Sequence, residues 1–209
     1  MKSFVVNALA VAALSVSCMS VQAEEIQDSR SLYFALTGGF TFGGDDIAKF
    51  EYTNGDTEEV EAGGLVNLGL GALWQSKEQP IAAQVTLNYQ FDHTSAKNGD
   101  ATFGRVPLEA VVFYTGVQDW RFGAGVRYVA NPELDVEIDG VDGNVEYKST
   151  VGLVVEAGYR VTNNLWVNVR GVSEKYEAES ASIEGYKFPV DSDKKFSGNH
   201  VGVNLVALF

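Results

Sequence analysis

The stretch 200-HVGVNLVALF-209 decides the fold. Counting back from Phe209, every second residue is apolar: Phe209, Ala207, Leu205, Val203 and Val201. A period of two describes a strand with two unlike faces. Chain termini are usually frayed and polar, so a strand of this kind needs partners. What it pairs with depends on how many other segments share its pattern.

Seven others do. LYFALTGGFTF places Leu32, Phe34, Leu36, Phe40 and Phe42 on one face, and LVNLGLGALW places Val66, Leu68, Leu70, Ala72 and Trp74. IAAQVTLNYQF aligns Ile81, Ala83, Val85, Leu87, Tyr89 and Phe91 against Gln84, Thr86, Asn88 and Gln90. VPLEAVVFY, WRFGAGVRY, VGLVVEAGY and LWVNVRG continue the series through Val106–Tyr114, Trp120–Tyr128, Val151–Tyr159 and Leu165–Gly171. With the tail, the alternation predicts eight strands, an even number that an antiparallel barrel can close. The polar faces carry Gly, Asn, Gln, Thr, Glu and Arg, which suit a narrow lumen. The apolar faces carry aliphatic residues in the middle and aromatic residues toward the ends. A water-soluble sandwich or lipocalin-like barrel would instead bury its bulky apolar side chains inside. Apolar outside and polar inside, on strands of about 9–11 residues, is the pattern of a barrel that spans a membrane.

The connections alternate long and short. Residues 43–62, 92–104, 130–149 and 173–197 read as long loops, and residues 75–80, 115–119 and 161–164 as tight turns. Four long and three short connections place both ends of an eight-stranded meander on the short-turn side. The expected fold class is therefore all-β: an eight-stranded antiparallel transmembrane β-barrel with up-and-down connections.

On these segments the chain resembles the small eight-stranded outer-membrane barrels of the OmpA transmembrane-domain and OmpX type. The resemblance covers residues 24–209 and implies a monomeric barrel in the outer membrane of a Gram-negative cell. It further implies periplasmic termini and extracellular long loops. In that family the terminal strand resembles a signal read by the barrel-assembly machinery, here Val201, Val203, Leu205 and Phe209. The chain departs at Ala207, where an aromatic residue is common.

The N-terminus agrees with export. Lys2, an apolar run from Phe4 to Val16 and the sequence Val21-Gln22-Ala23 read as a signal peptide over residues 1–23. Ser15 stands three residues before Cys18, where a lipoprotein signal carries an aliphatic residue, so cleavage is expected after Ala23. Cys18, the single cysteine, would leave with that segment, excluding thiol and disulfide chemistry from the mature chain. Losing Lys2 would change the formal charge from −13 to −14. That sign disfavours a nucleic-acid partner.

Parity directs Glu109, Arg121, Arg127, Glu156, Arg160 and Arg170 into the lumen. A turn centred on Asn163 sets Glu156 opposite Arg170, and a turn near Val117 sets Glu109 beside Arg127. Buried charges need partners, and eight strands leave room for little beyond side chains. The expectation is an ion-paired, plugged interior with a structural or surface-interaction role; a narrow ion or small-solute channel is the alternative. Trp166 breaks the aromatic pattern, because its parity points inward.

Asp45, Asp46, Glu51, Asp56, Glu58, Glu59 and Glu61 crowd the first long connection, and Glu133, Asp135, Glu137, Asp139, Asp142 and Glu146 the third. Solvation accounts for them; divalent cations bridging to lipopolysaccharide phosphates are a second reading. DGVDGN lacks calcium-loop spacing, so no metal site is assigned, and no cofactor motif is present. His93-Thr94-Ser95 is similar to the His-x-Ser element of the lipid A 3-O-deacylase, but Ala96-Lys97 follow where that family has Asn-Ala. Glu109, the best acidic candidate, faces the lumen and away from His93. The expectation is a protein that is not an enzyme, with outer-membrane lipid, lipopolysaccharide and the assembly machinery as partners.

Overall fold

The computed structural model describes residues 31–51, 57–96, 99–138, 140–190 and 195–209; the expected signal peptide, residues 1–23, lies outside them. In chain order the described strands are β1 (Leu32–Phe42), β2 (Asp46–Glu51), β3 (Thr57–Glu61), β4 (Val66–Gln75), β5 (Ile81–Ala96), β6 (Gly99–Val117) and β7 (Trp120–Ile138). They continue as β8 (Val141–Tyr147), β9 (Thr150–Thr162), β10 (Leu165–Ser173), β11 (Lys175–Ile183), β12 (Tyr186–Pro189), β13 (Lys195–Ser197) and β14 (His200–Leu208).

Eight of these, β1, β4, β5, β6, β7, β9, β10 and β14, pair antiparallel in that order. β14 then pairs with β1, from Ala35 opposite Leu208 to Phe42 opposite Val201. Phe209 completes the seam: its N–H donates to the Phe34 carbonyl at 2.9 Å, and the Phe34 N–H donates back at 3.1 Å. The barrel is closed, with no free edge along its wall. The tail alternation thus reflects a strand hydrogen-bonded on both sides.

The faces sort as alternation demands. Leu36, Leu70, Leu87, Leu108, Val112, Phe122, Val126, Val155, Val203 and Leu205 are exposed on the outside. Thr37, Asn67, Gln84, Asn88, Gln90, Glu109, Arg127, Asn168, Arg170 and Asn204 are buried inside. Trp74, Tyr114, Trp120 and Tyr159 sit outward beside the short turns, and Phe42, Tyr89 and Tyr128 outward toward the other end.

The long connections depart from the expectation of loops. β2 and β3 form a hairpin between β1 and β4, β5 and β6 stay paired up to Ala96 and Gly99, and β7 runs on to Ile138 against β8. β11 extends the same sheet beside β8 and carries β12 and β13. On β7 the alternation changes face at a β-bulge. The β6–β7 register slips by one residue between Gly104 and Val106, and opposite it Asn131 takes φ 40°. One extra residue moves every later side chain to the other face. Below the bulge Phe122, Val126 and Tyr128 point out; above it Leu134 turns in and Glu133, Asp135 and Glu137 lie exposed. The acidic residues of this connection are therefore the outer face of a sheet.

Candidate functional site in the barrel interior

The interior is filled in tiers. At the short-turn end Ala35, Leu73, Ala82, Val111, Phe113, Val206 and Leu208 form an apolar cluster, with Tyr33 and Trp166 packed against it. Arg121 roofs this cluster, its guanidinium 4.5 Å from the Phe113 ring centre and 4.7 Å from that of Trp166. Cation–π contact of this kind suits a desolvated arginine. The inward Trp166 that breaks the aromatic pattern is thus the platform for Arg121.

The charged tier lies above. Cross-strand register sets Glu109 directly opposite Arg127 and Glu156 directly opposite Arg170. Glu109 is the hub: its Oε1 accepts from Arg170 at 2.7 Å and lies 3.2 Å from Arg127 Nη1. Arg170 is farther from Glu156, at 3.7 Å. Glu156 accepts instead from Asn168 Nδ2 at 2.7 Å, and Asn168 Oδ1 accepts from Arg121 at 3.1 Å. Arg121 therefore reaches Glu156 through an amide. Arg160 keeps the inward parity, opposite Trp166 and with its guanidinium 5.9 Å from that ring centre, but it stands at the exposed short-turn mouth. There it pairs with Asp119 at 2.7 Å instead of joining the buried charges.

Three residues that alternation over 106–114 and 165–171 leaves out complete the tier. Glu174 Oε2 lies 3.0 Å from Arg127 Nε, and Glu174 Oε1 lies 3.6 Å from Arg105 Nη1 and accepts from the Tyr176 hydroxyl at 2.5 Å. The Tyr176 hydroxyl in turn accepts from Arg105 at 2.8 Å. Extending the period five residues beyond Gly171 and one before Val106 would have found them: Glu174 and Tyr176 share parity with Arg170, and Arg105 with Glu109. His200, at the head of β14, is fully enclosed; its Nδ1–H donates to the Gly198 carbonyl at 2.7 Å, leaving Nε2 to accept from Arg127 at 3.5 Å. Among the described residues the buried charges balance: Arg105, Arg121, Arg127 and Arg170 against Asp92, Glu109, Glu156 and Glu174.

A strap closes the other end. Ala62, Gly63 and Gly64 turn inward before β4, with both Ala62 and Gly63 carbonyls accepting from Arg105. Gln90 Nε2 donates to the Gly63 carbonyl at 2.6 Å, and the Thr41 hydroxyl to Gly64 at 2.5 Å. Gly43, Gly44 and Gly64 allow the reversal by taking φ of 109°, 104° and 65°, a region that favours glycine. Above the strap Phe103, Tyr147, Tyr176 and Phe196 pack edge to face, with ring centres 5.7–6.2 Å apart. Burial pushes the Tyr147 hydroxyl pKa up to about 12.

The remaining expected residues lie apart from this interior. Val201, Val203 and Leu205 are exposed on the outer face of β14, and the Phe209 ring lies 6.5 Å from that of Phe34. His93 is exposed on β5, its Nδ1 2.8 Å from the Thr102 hydroxyl. The barrel wall separates it from the buried Glu109.

A closed eight-stranded barrel, apolar outside and filled inside with paired charges, is the architecture of the small outer-membrane barrels. The chain is similar to several solved structures. Neisserial surface protein A aligns over 86% of this chain and 98% of its own, at 12% identity and TM-score 0.44. CarO of Acinetobacter baumannii aligns over 84% and 97%, at 11% identity and TM-score 0.46. The outer-membrane protease OmpT of Escherichia coli aligns over 86% and 94%, at 9% identity and TM-score 0.43. No protein-family model and no curated protein matches the chain. Likenesses this loose carry no argument about activity, and the assignment of the fold rests on the strand pairing.

Proposed function

We propose that this chain is a monomeric, non-enzymatic barrel of the outer membrane with a structural or surface-interaction role, its lumen sealed to ions. The observation that carries the reading is the filled interior: an apolar cluster, a balanced charge network and the Ala62–Gly64 strap follow one another along the axis. A channel needs a continuous polar path through the lumen, and the apolar cluster on one side of the paired charges and the packed rings on the other oppose one. The ring of exposed aliphatic side chains supports lipid contact, since a wall of Leu, Val and Phe facing water would be an aggregation surface. Outer-membrane lipid and lipopolysaccharide are the partners this exterior suits, with short turns periplasmic and the acidic extension extracellular. Val201, Val203, Leu205 and Phe209 are offered to the assembly machinery before the β14–β1 seam forms.

The test is heat-modifiable mobility combined with flotation on lipid vesicles. The folded chain should float with the vesicles and migrate on gels differently before and after boiling. Identical mobility, with solubility in the absence of detergent, would overturn the reading. Purified barrel incubated with lipid A should release no fatty acid; release that His93→Ala abolishes would restore the enzyme alternative.

A further inference from the structure

The sheet that continues beyond the barrel wall ends in an apolar face that its own core leaves uncovered. Register places Leu134, Val145, Ala181 and Phe188 in one row across β7, β8, β11 and β12, and Val136, Gly143, Ile183 and Tyr186 in the next. Ile138 and Val141 follow at the hairpin end. Alternate residues of a strand share a face, and no charged residue stands in these rows. On the barrel side the face packs against Phe103, Tyr147 and Tyr176, which leaves Leu134 only 4% exposed. Toward the tip and the β12 margin that cover runs out: Ile138, Val141, Ile183 and Phe188 are exposed, and Tyr186 by 74%. Bulk lipid does not cover them, because the other side of the same sheet carries Glu133, Asp135 and Glu137. A contiguous apolar patch outside the membrane marks a contact surface.

The rim of this patch has charge of one sign. Asp100, Glu137 and Asp142 stand side by side in register on the opposite face. Glu184 sits in the β11–β12 turn, its N–H donating to the Asp142 carbonyl at 2.9 Å. None of these four acids pairs with a cation among the described residues. Lys187, the cation of β12, is held by Glu146 at 3.5 Å, and Lys148 and Lys195 lie 3.2 and 2.5 Å from Glu177. The whole chain carries −13. That sign opposes anionic lipid and a second copy of the chain, and it attracts a cationic partner. Lys187 and Pro189 guard the β12 margin against an added strand, so the face is what the tip offers.

We infer that this tip docks a cationic peptide segment. Its apolar side chains lie on Val141, Ile183, Tyr186 and Phe188, and its lysines or arginines reach over the rim to Glu184, Asp142 and Glu137. The site rests on the surface-interaction reading and names that partner by its chemistry. Apolar contact supplies the affinity, and the uncompensated carboxylates supply the selection for positive charge, which salt screens.

The test titrates the mature barrel, folded in a zwitterionic detergent, into fluorescein-labelled peptides of alternating lysine and leucine, lysine and serine, or glutamate and leucine. Fluorescence anisotropy is the readout, with empty micelles as the baseline. The lysine–leucine peptide should bind, the lysine–serine peptide about tenfold more weakly, and the glutamate–leucine peptide no more than to empty micelles. Ile183→Ser with Tyr186→Ser should weaken lysine–leucine binding by about tenfold, and Glu137→Gln with Asp142→Asn should remove its salt dependence. Tyr186→Ser alone serves if hydrogen exchange at Val141–Tyr147 shows that the double variant loosens the sheet. Unchanged lysine–leucine binding by a folded Tyr186 variant, or equal binding of the glutamate–leucine peptide by the wild type, overturns the docking face. A wild-type dimer in sedimentation that Tyr186→Ser dissolves overturns it too, by making a second copy the occupant. A chain that stays soluble without detergent and never floats with vesicles overturns the membrane reading instead, and the same titration, run without detergent, still decides the face.

Discussion

Glu109 shows how far a single residue could be read. Period-two parity placed it inside and a short turn brought Arg127 beside it, because register follows from turn length. Its bond to Arg170, two strands farther round the wall, was not legible, since alternation gives a residue's face but not what reaches it across a lumen. The hub position predicts unequal costs. Removing one member of a buried, hydrogen-bonded pair costs about 3–5 kcal/mol. Glu109→Gln leaves two arginines short of charge and should destabilise by about 3 kcal/mol in urea unfolding on detergent micelles. Glu156→Gln should cost about 1 kcal/mol, because the amide can still accept from Asn168 and the Arg170 contact is already long at 3.7 Å. Arg160→Ala, at an exposed pair, should stay within about 0.5 kcal/mol of the wild type. Equal losses at positions 109 and 156 would show that charge count, and not the hub, governs the network.

Among elements, β7 is the instructive strand. Its first nine residues follow the lipid-facing alternation, and its last six follow the opposite phase, with Asn131 at the change. A pattern search anchored on one phase stops at the bulge, which is why 130–149 reads as loop while the structure has sheet. Acidic outward residues reinforced that reading, since charge clusters suggest solvated loops. A left-handed backbone costs an ordinary residue about 1–2 kcal/mol, so Asn131→Val should lose that much and disorder β8, whereas Asn131→Gly should lose far less. Hydrogen exchange at Val141–Tyr147 checks both. The β11–β13 clamp should respond to pH. Lys195 and Lys148 lower the Glu177 carboxyl, so the clamp's contribution is present above the ordinary carboxylate range and is lost as pH falls through the lowered value. Amide exchange at Lys195–Ser197, corrected for its intrinsic pH dependence, should speed up on acidification, and Glu177→Gln should abolish the response.

For the whole molecule, closure was legible because eight alternating segments and alternating connection lengths have few other solutions. The seal was only partly legible: paired charges were expected, but the Ala62–Gly64 strap depends on carbonyls that turn inward, which no side-chain pattern records. The apolar cluster and the strap fill the axis at two heights, so loss of either one alone is expected to leave the lumen closed. Arg105→Ala should free the strap yet leave the cluster around Phe113 and Leu73 intact. The central claim is a membrane-spanning barrel that does not conduct, and planar-bilayer recording of the inserted wild-type chain tests it most directly. The account predicts baseline current for the wild type and for Arg105→Ala, with insertion verified by heat-modifiable mobility. A steady, ion-selective current through the wild type, altered when Glu156 or Arg170 is neutralised, would contradict it.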